Sequence, residues 1–205
     1  PSERMDARQV FALSDEMRRY VADQIAARAR VKGRPVALID ALYAQSELKL
    51  TYDSSMTRNA AEAFASRSGN CLSLVIMTAA FAKELGRGVR YQKVVVDDAL
   101  GRAGDIYMAI GHVNLTLATN RTDEGIGFRV GKRPHESEAM TVDFLPQDDL
   151  RGMRAQGISE ATVVAMYMNN RAVEALAPAD VDDAYWWARE AVAQDPDYLP
   201  GYNTL

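Results

Sequence analysis

Cysteine and histidine are scarce in this chain, and the shortage narrows what it can do. There is one cysteine, Cys71, and there are two histidines, His112 and His135. A single cysteine excludes an intramolecular disulfide and leaves the redox compartment open. Two histidines supply too few ligands for a metal site, and neither a metal nor a cofactor is expected. No apolar run approaches the roughly 18 to 20 residues that a membrane-spanning helix needs. Basic excess is missing too. A net charge of −4 and a pI near 5.3 argue against a nucleic-acid binder, which shows a broad positive field. Arginines gather at Arg18-Arg19 and at Arg28, Arg30 and Arg34, but acidic residues lie nearby and the cluster reads as a solvated helix face. No signal peptide is visible. The chain begins at Pro1 rather than Met, so removal of an upstream signal would fit a periplasmic or lipoprotein-anchored protein; the compartment is otherwise unknown.

What is present suits a packed fold. Apolar residues make up 48% and charged residues 25% of 205 residues, enough for one good-sized domain plus an addition. The N-terminal third reads as helical. Ser14 is an N-cap, and Met17, Tyr20, Val21 and Ile25 form an apolar stripe until Lys32-Gly33-Arg34-Pro35 breaks it. A second helix is expected from about Val36 to Tyr43, and Leu48 to Tyr52 reads as extended. Asn59-Ala60-Ala61-Glu62 is a capping-box signature for a short helix through Phe64. Beyond it the pattern turns to α+β: a helix from Cys71, then strands near 89–96, 106–117, 126–130 and 140–145. Antiparallel strands after helices predict a sheet packed against the cysteine helix. Residues Thr119 to Glu138 are polar and glycine-containing, and read as a hairpin and a loop near the site, with His135 in that surface loop.

Cys71 follows the turn Arg67-Ser68-Gly69-Asn70 and opens the apolar segment from Leu72 to Leu85. A helix start favours a thiolate and leaves N–H groups free to stabilise an oxyanion. The alternative is a small buried hydrophobe at the head of a core helix. From Met108 the chain reads as a strand of period two, in which His112, Asn114 and Thr116 face one way and Val113, Leu115 and Leu117 the other. Asp143 interrupts the apolar run Thr141 to Pro146, and a carboxylate there needs a partner. Cysteine at a helix start, with histidine and aspartate on successive strands, fits nucleophile, base and orienting acid. Against that stand a satisfied core histidine and an aspartate capping the turn at Pro146.

These residues resemble the transglutaminase-like (papain-like) superfamily. Its bacterial members carry Gly-x-Cys at a helix start before an apolar helix, here Gly69-Asn70-Cys71 and then Leu74 to Gly86. A strand with an arginine follows, Val89 to Val94, then one beginning at a histidine, His112-Val113-Asn114-Leu115, and one bearing an aspartate, Val142-Asp143-Phe144. The likeness covers roughly residues 45 to 150. It implies a papain-like core, with Cys71 as nucleophile, His112 as general base and acid, and Asp143 orienting the imidazole. It also implies thiol chemistry on an amide or peptide bond through a thioester, in a peptidase, a deamidase or an acyltransferase. The Cys71 N–H is expected in the oxyanion hole; Tyr52, Asn70 and Asn114 are candidates for a second donor or for lining the site. Animal transglutaminases have an aromatic residue close before the cysteine motif and large added β-domains. This chain has Ser66-Arg67-Ser68 there and is too short for those domains, so cross-linking of the animal type is not implied. The competing expectation is a catalytically inactive module that binds a protein or peptide.

The tail changes character after about residue 157. Val163 to Leu176 reads as one amphipathic helix, Ala177 to Asp180 as a turn, and Asp183 to Gln194 as a second helix stopped at Asp195-Pro196. Ala172, Ala184, Ala191 and Pro196 resemble the small residues and proline stop of a tetratricopeptide repeat, and Tyr198 to Leu205 the opening of another. The expected division is therefore 1–157, with N-terminal helices 1–66 and a catalytic core 67–150, and 158–205 as an incomplete repeat extension. A lone repeat cannot bury its apolar face. The hairpin is expected to dock on the first domain through the Leu150-to-Ile158 connector and to offer its open face to a protein partner. Trp186 and Trp187 point about 100° apart, one toward the core and one toward an interface.

Overall fold

Residues 71–84 form a helix that is buried on every side from Leu72 to Ala82 and packs against both helices and strands. The computed structural model describes residues 2, 5–43, 48–95, 100–103, 106–109, 112–117, 140–144 and 154–205. In chain order the helices are α1 (Ala7–Val10), α2 (Asp15–Tyr20), α3 (Ala26–Lys32), α4 (Arg34–Tyr43), α5 (Ala60–Ser66), α6 (Cys71–Glu84), α7 (Glu160–Leu176), α8 (Val181–Gln194) and α9 (Leu199–Thr204). The strands are β1 (Thr51–Tyr52), β2 (Ser68–Gly69), β3 (Val89–Val95), β4 (Leu100–Ala103), β5 (Ile106–Ala109), β6 (His112–Leu117), β7 (Met140–Val142) and β8 (Arg154–Ile158). The fold is thus mixed helix and sheet, as the α+β pattern requires. Among the described residues no helix is long and apolar enough to cross a membrane.

Local signals set the helix ends. The Ser14 hydroxyl accepts from Met17 N–H at 3.2 Å, and Gly33, at φ 85°, ends α3 in a conformation only glycine adopts freely. Between α2 and α3, Val21–Ile25 takes a π-helical turn, which keeps Met17, Val21 and Ile25 all in the core. The capping box at α5 is complete: Glu62 N–H donates to Asn59 Oδ1 and Asn59 N–H to Glu62 Oε2, both at 2.9 Å. Helix α4 begins at Arg34, two residues ahead of the expected Val36, because Pro35 is tolerated in a first turn. In α6, residues Leu72 to Ala82 are all buried, the signature of a central helix rather than a surface one.

The main sheet runs β7-β6-β3-β8, with antiparallel neighbours throughout. Helix α6 packs against β6. The register sets His112 opposite Val94 and Leu115 opposite both Tyr91 and Val142. Several expectations need correction. The stretch 106–117 is two strands: β5 pairs with β4 in a separate hairpin, and β6 joins the main sheet. Extended structure between Leu48 and Tyr52 is confined to Thr51–Tyr52, since Lys49 has φ 47°. The connector before Ile158 carries β8, an exposed edge strand on β3. Strand β7 stops at Val142, one residue short of Asp143. The strand expected at 126–130, the loop from Thr119 to Glu138 and His135 lie outside the described residues.

Helices α7 and α8 form a hairpin whose buried face belongs to the same hydrophobic cluster as α6 and the sheet. Ser159 caps α7, accepting from Thr162 N–H at 3.0 Å. Trp187 is buried edge-on against Tyr167, while Trp186 is exposed and lies against Tyr185 and the Arg189 guanidinium. The hairpin is bonded to the rest of the chain: Tyr91 Oη–H donates to Glu160 Oε2 at 2.8 Å and Thr57 N–H to Glu174 Oε1 at 2.6 Å.

Candidate active site

Cys71 is the first residue of α6 and is partly accessible. Its position is built from short-range contacts. Asn70 caps the helix, accepting from Ser73 N–H and from Ser73 Oγ–H at 2.9 Å each, and its carbonyl accepts from Leu74 N–H at 3.0 Å. The N–H groups of Cys71 and Leu72 are left without a partner within the helix, as at any helix start. Ser73 Oγ also accepts from Arg58 N–H at 2.8 Å, and Asn70 Nδ2 donates to Thr57 Oγ1 at 2.9 Å. Asn70 is therefore occupied in holding the helix start. Gly69 allows the turn to close, because a Cβ there would lie 2.6 Å from Ser73 Cβ.

Strand β1 pairs in parallel with β2, setting Tyr52 opposite Gly69, with Asp53 N–H donating to Gly69 O at 3.0 Å. This brings the Tyr52 hydroxyl beside Cys71. Burial pushes the phenol up, the charge of the nearby sulfur adds to this, and the Cys71 main-chain N–H acts the other way. The following loop is pinned by an ion pair between Arg58 Nη2 and Asp53 Oδ2 at 2.9 Å. The Ser55 hydroxyl and amide, then Arg58, hold the Asp53 carboxyl down at about 2.

His112 is 3% exposed at the start of β6. Its Nε2–H donates to Asp143 Oδ1 at 2.7 Å, and Asn114 Nδ2 donates to Asp143 Oδ2 at 2.9 Å. An ionised carboxylate only accepts, so Nε2 carries the proton and Nδ1 is the free base in the neutral ring. Nδ1 is buried and makes no closed hydrogen bond. The Cys71 sulfur faces the ring closely enough to act on its charge, but outside hydrogen-bond geometry; such contacts often tighten only when substrate binds. Burial alone would lower the imidazolium. The bond to Asp143, then the Cys71 sulfur, outweigh burial and lift it to about 9.

The structure thus brings Cys71, His112, Asp143, Tyr52 and Asn114 into one region. Tyr43 was not evident from sequence: its hydroxyl donates to the Asp143 main-chain oxygen at 2.6 Å and its ring stacks on Phe144. Burial, then the Asp143 charge, push that phenol up to about 12. Thr57 was missed as well, and only its place just before the Asn59 box hinted at it. An open cleft bounded by Val89, Arg90, Gly157 and Ser159 lies at the end of β3 remote from Val94, the partner of His112. Among the described residues no group of three or more His, Cys, Asp or Glu side chains converges as a metal site. Compared with protein-family models, with curated proteins and with solved structures, the chain finds no match in any of the three.

Proposed function

We propose that the protein is a transglutaminase-like cysteine enzyme with a papain-like core, using Cys71, His112 and Asp143 as its triad. In this reading α7 and α8 are a tetratricopeptide-like hairpin and α9 the start of a further repeat, with a protein partner on the open face. The observation that supports the reading best is the direction of the imidazole: Nε2–H is engaged by a carboxylate at 2.7 Å, and a buried, unpartnered Nδ1 is left for a thiol at a helix start. Nδ1 holds the Cys71 proton, in keeping with an imidazole raised to about 9, as the sulfur bonds to an amide carbonyl carbon and the carbonyl π bond opens. The oxygen gains negative charge beside the Cys71 N–H and the Tyr52 hydroxyl. His112 returns the proton to the leaving ammonia or amine, the C–N bond breaks, and a thioester remains. Water then gives a peptidase or deamidase, and an amine gives an acyltransferase.

The open geometry between Sγ and Nδ1 favours a second reading, an inactive module that holds a peptide in the same place. Incubation with glutamine-containing peptides, rapid quenching and mass spectrometry should trap acyl-Cys71 in the intact protein and none in Cys71→Ala. No adduct, together with equal iodoacetamide labelling of Cys71 in the wild type and in His112→Ala, would leave the module as the answer.

A further inference from the structure

We propose that Asn114 is a positioning residue for Asp143: its side-chain amide holds one carboxylate oxygen so that the other stays on His112. The inference rests on the triad reading above. Strand alternation puts His112 and Asn114 on one side of β6, two residues apart. Asp143 lies one residue past the end of β7. A carboxylate turns freely about its last torsion. With His112 Nε2 on Oδ1 at 2.7 Å and Asn114 Nδ2 on Oδ2 at 2.9 Å, both oxygens are engaged and that rotation is stopped. Tyr43 Oη–H, donating to the Asp143 main-chain oxygen at 2.6 Å, fixes the residue from the side of α4.

The orientation of the amide carries the argument further. A carboxylate can only accept, so the NH2 end of Asn114 must face it. That leaves Asn114 Oδ1 buried without a partner, an arrangement that is unfavourable in itself. Reversing the amide would set oxygen against oxygen and release the carboxylate. The orphaned acceptor is the consequence of directing the donor at Asp143.

Among the described residues, the titratable groups acting on His112 are Asp143, from beyond β7, and Cys71, from α6. The test is the imidazole 15N NMR titration of the full chain, in which His135→Ala leaves His112 as the one histidine. The wild-type midpoint should lie at about 9. Asn114→Leu, which keeps shape and removes the donor, should lower it by about one pH unit, a tenfold loss in proton affinity. A raised midpoint that Asn114→Leu does not move would overturn this inference alone. A wild-type midpoint near 6.5 would overturn it together with the triad. Should the variant not fold, the Asn114 side-chain amide of the intact protein supplies the same test. Its resonances should shift with the His112 midpoint, and resonances indifferent to that titration would refute the role.

Discussion

Gly69→Ala should damage the site by moving the first turn of α6. The added Cβ would sit 2.6 Å from Ser73 Cβ, 3.4 Å from its Oγ and 3.7 Å from Leu74 Cδ2. Ser73 Cβ is fixed to the backbone, so no side-chain rotation relieves the clash. Either β2 or the helix start has to move. Both are tied down: Gly69 O accepts from Asp53 N–H at 3.0 Å, and Ser73 is bonded to Asn70 and to Arg58 N–H. Overpacking costs about 1–3 kcal/mol and a weakened N-cap about 1 kcal/mol. A loss of roughly 2–4 kcal/mol corresponds to a fall in Tm of about 5–15 °C for a chain of this size. The chemistry should suffer more, since a displacement of about 1 Å can cost on the order of 100-fold in rate. Calorimetry and the iodoacetamide labelling rate of Cys71, taken well below the lowered Tm, measure the two effects. Ser73→Gly removes the other half of the clash. The double variant should therefore be more stable than the sum of the two single losses by about 1 kcal/mol or more. Strict additivity, or an unchanged Tm in Gly69→Ala, would refute the steric argument.

Two further outcomes follow from other parts of the structure. The His112 pKa of about 9 stands above its ordinary 6.5, so its contribution is complete below about pH 6.5 and fades as the pH rises through 9. It amounts to about 3 kcal/mol, and urea unfolding at about pH 6 and about pH 10 should show a loss that His112→Gln lacks; an equal loss in that variant would assign it elsewhere. Glu174→Ala removes the acceptor for the buried Thr57 N–H and should cost about 1–3 kcal/mol. Glu174→Gln keeps an acceptor and drops a charge that burial already disfavours, so denaturant midpoints near the wild type are expected, and a glutamine variant as weak as the alanine one would contradict the hydrogen-bond origin.

What could be read from sequence was what is decided locally. Ser14, Asn59 with Glu62, and the apolar run after Cys71 are helix signals that need only a few neighbouring residues, and they mark real helix starts. Strand β8 could not be read that way. Arg154-Ala155-Gln156-Gly157-Ile158 is polar, exposed and contains glycine, and it is a strand only because β3 lies beside it. The split of 106–117 was hidden for a related reason: period two says which residues share a face and nothing about which partner each half takes. At the site, scarcity pointed to Cys71 and His112, and an acid in an apolar run pointed to Asp143. Tyr43 stands 100 positions from Asp143 and gave no local sign of the bond it makes.

The tail shows how a change of sequence pattern can sit within continuous packing. A change in pattern near residue 157 suggests two units on a connector, yet β8 is part of the main sheet and is followed at once by the Ser159 cap of α7. The join is also chemical. Thr57, 1% exposed, takes hydrogen bonds on its one hydroxyl oxygen from Asn70 at 2.9 Å and from Asn170 at 3.2 Å, while its N–H donates to Glu174. Asn70 caps the helix that begins at Cys71, and Asn170 and Glu174 lie on α7. A shift of α7 would therefore strain the cap as well as the sheet strand that precedes it. The hairpin acts as a buttress for the cysteine, and the residues that make it one are polar and scattered, invisible to any search for apolar periodicity.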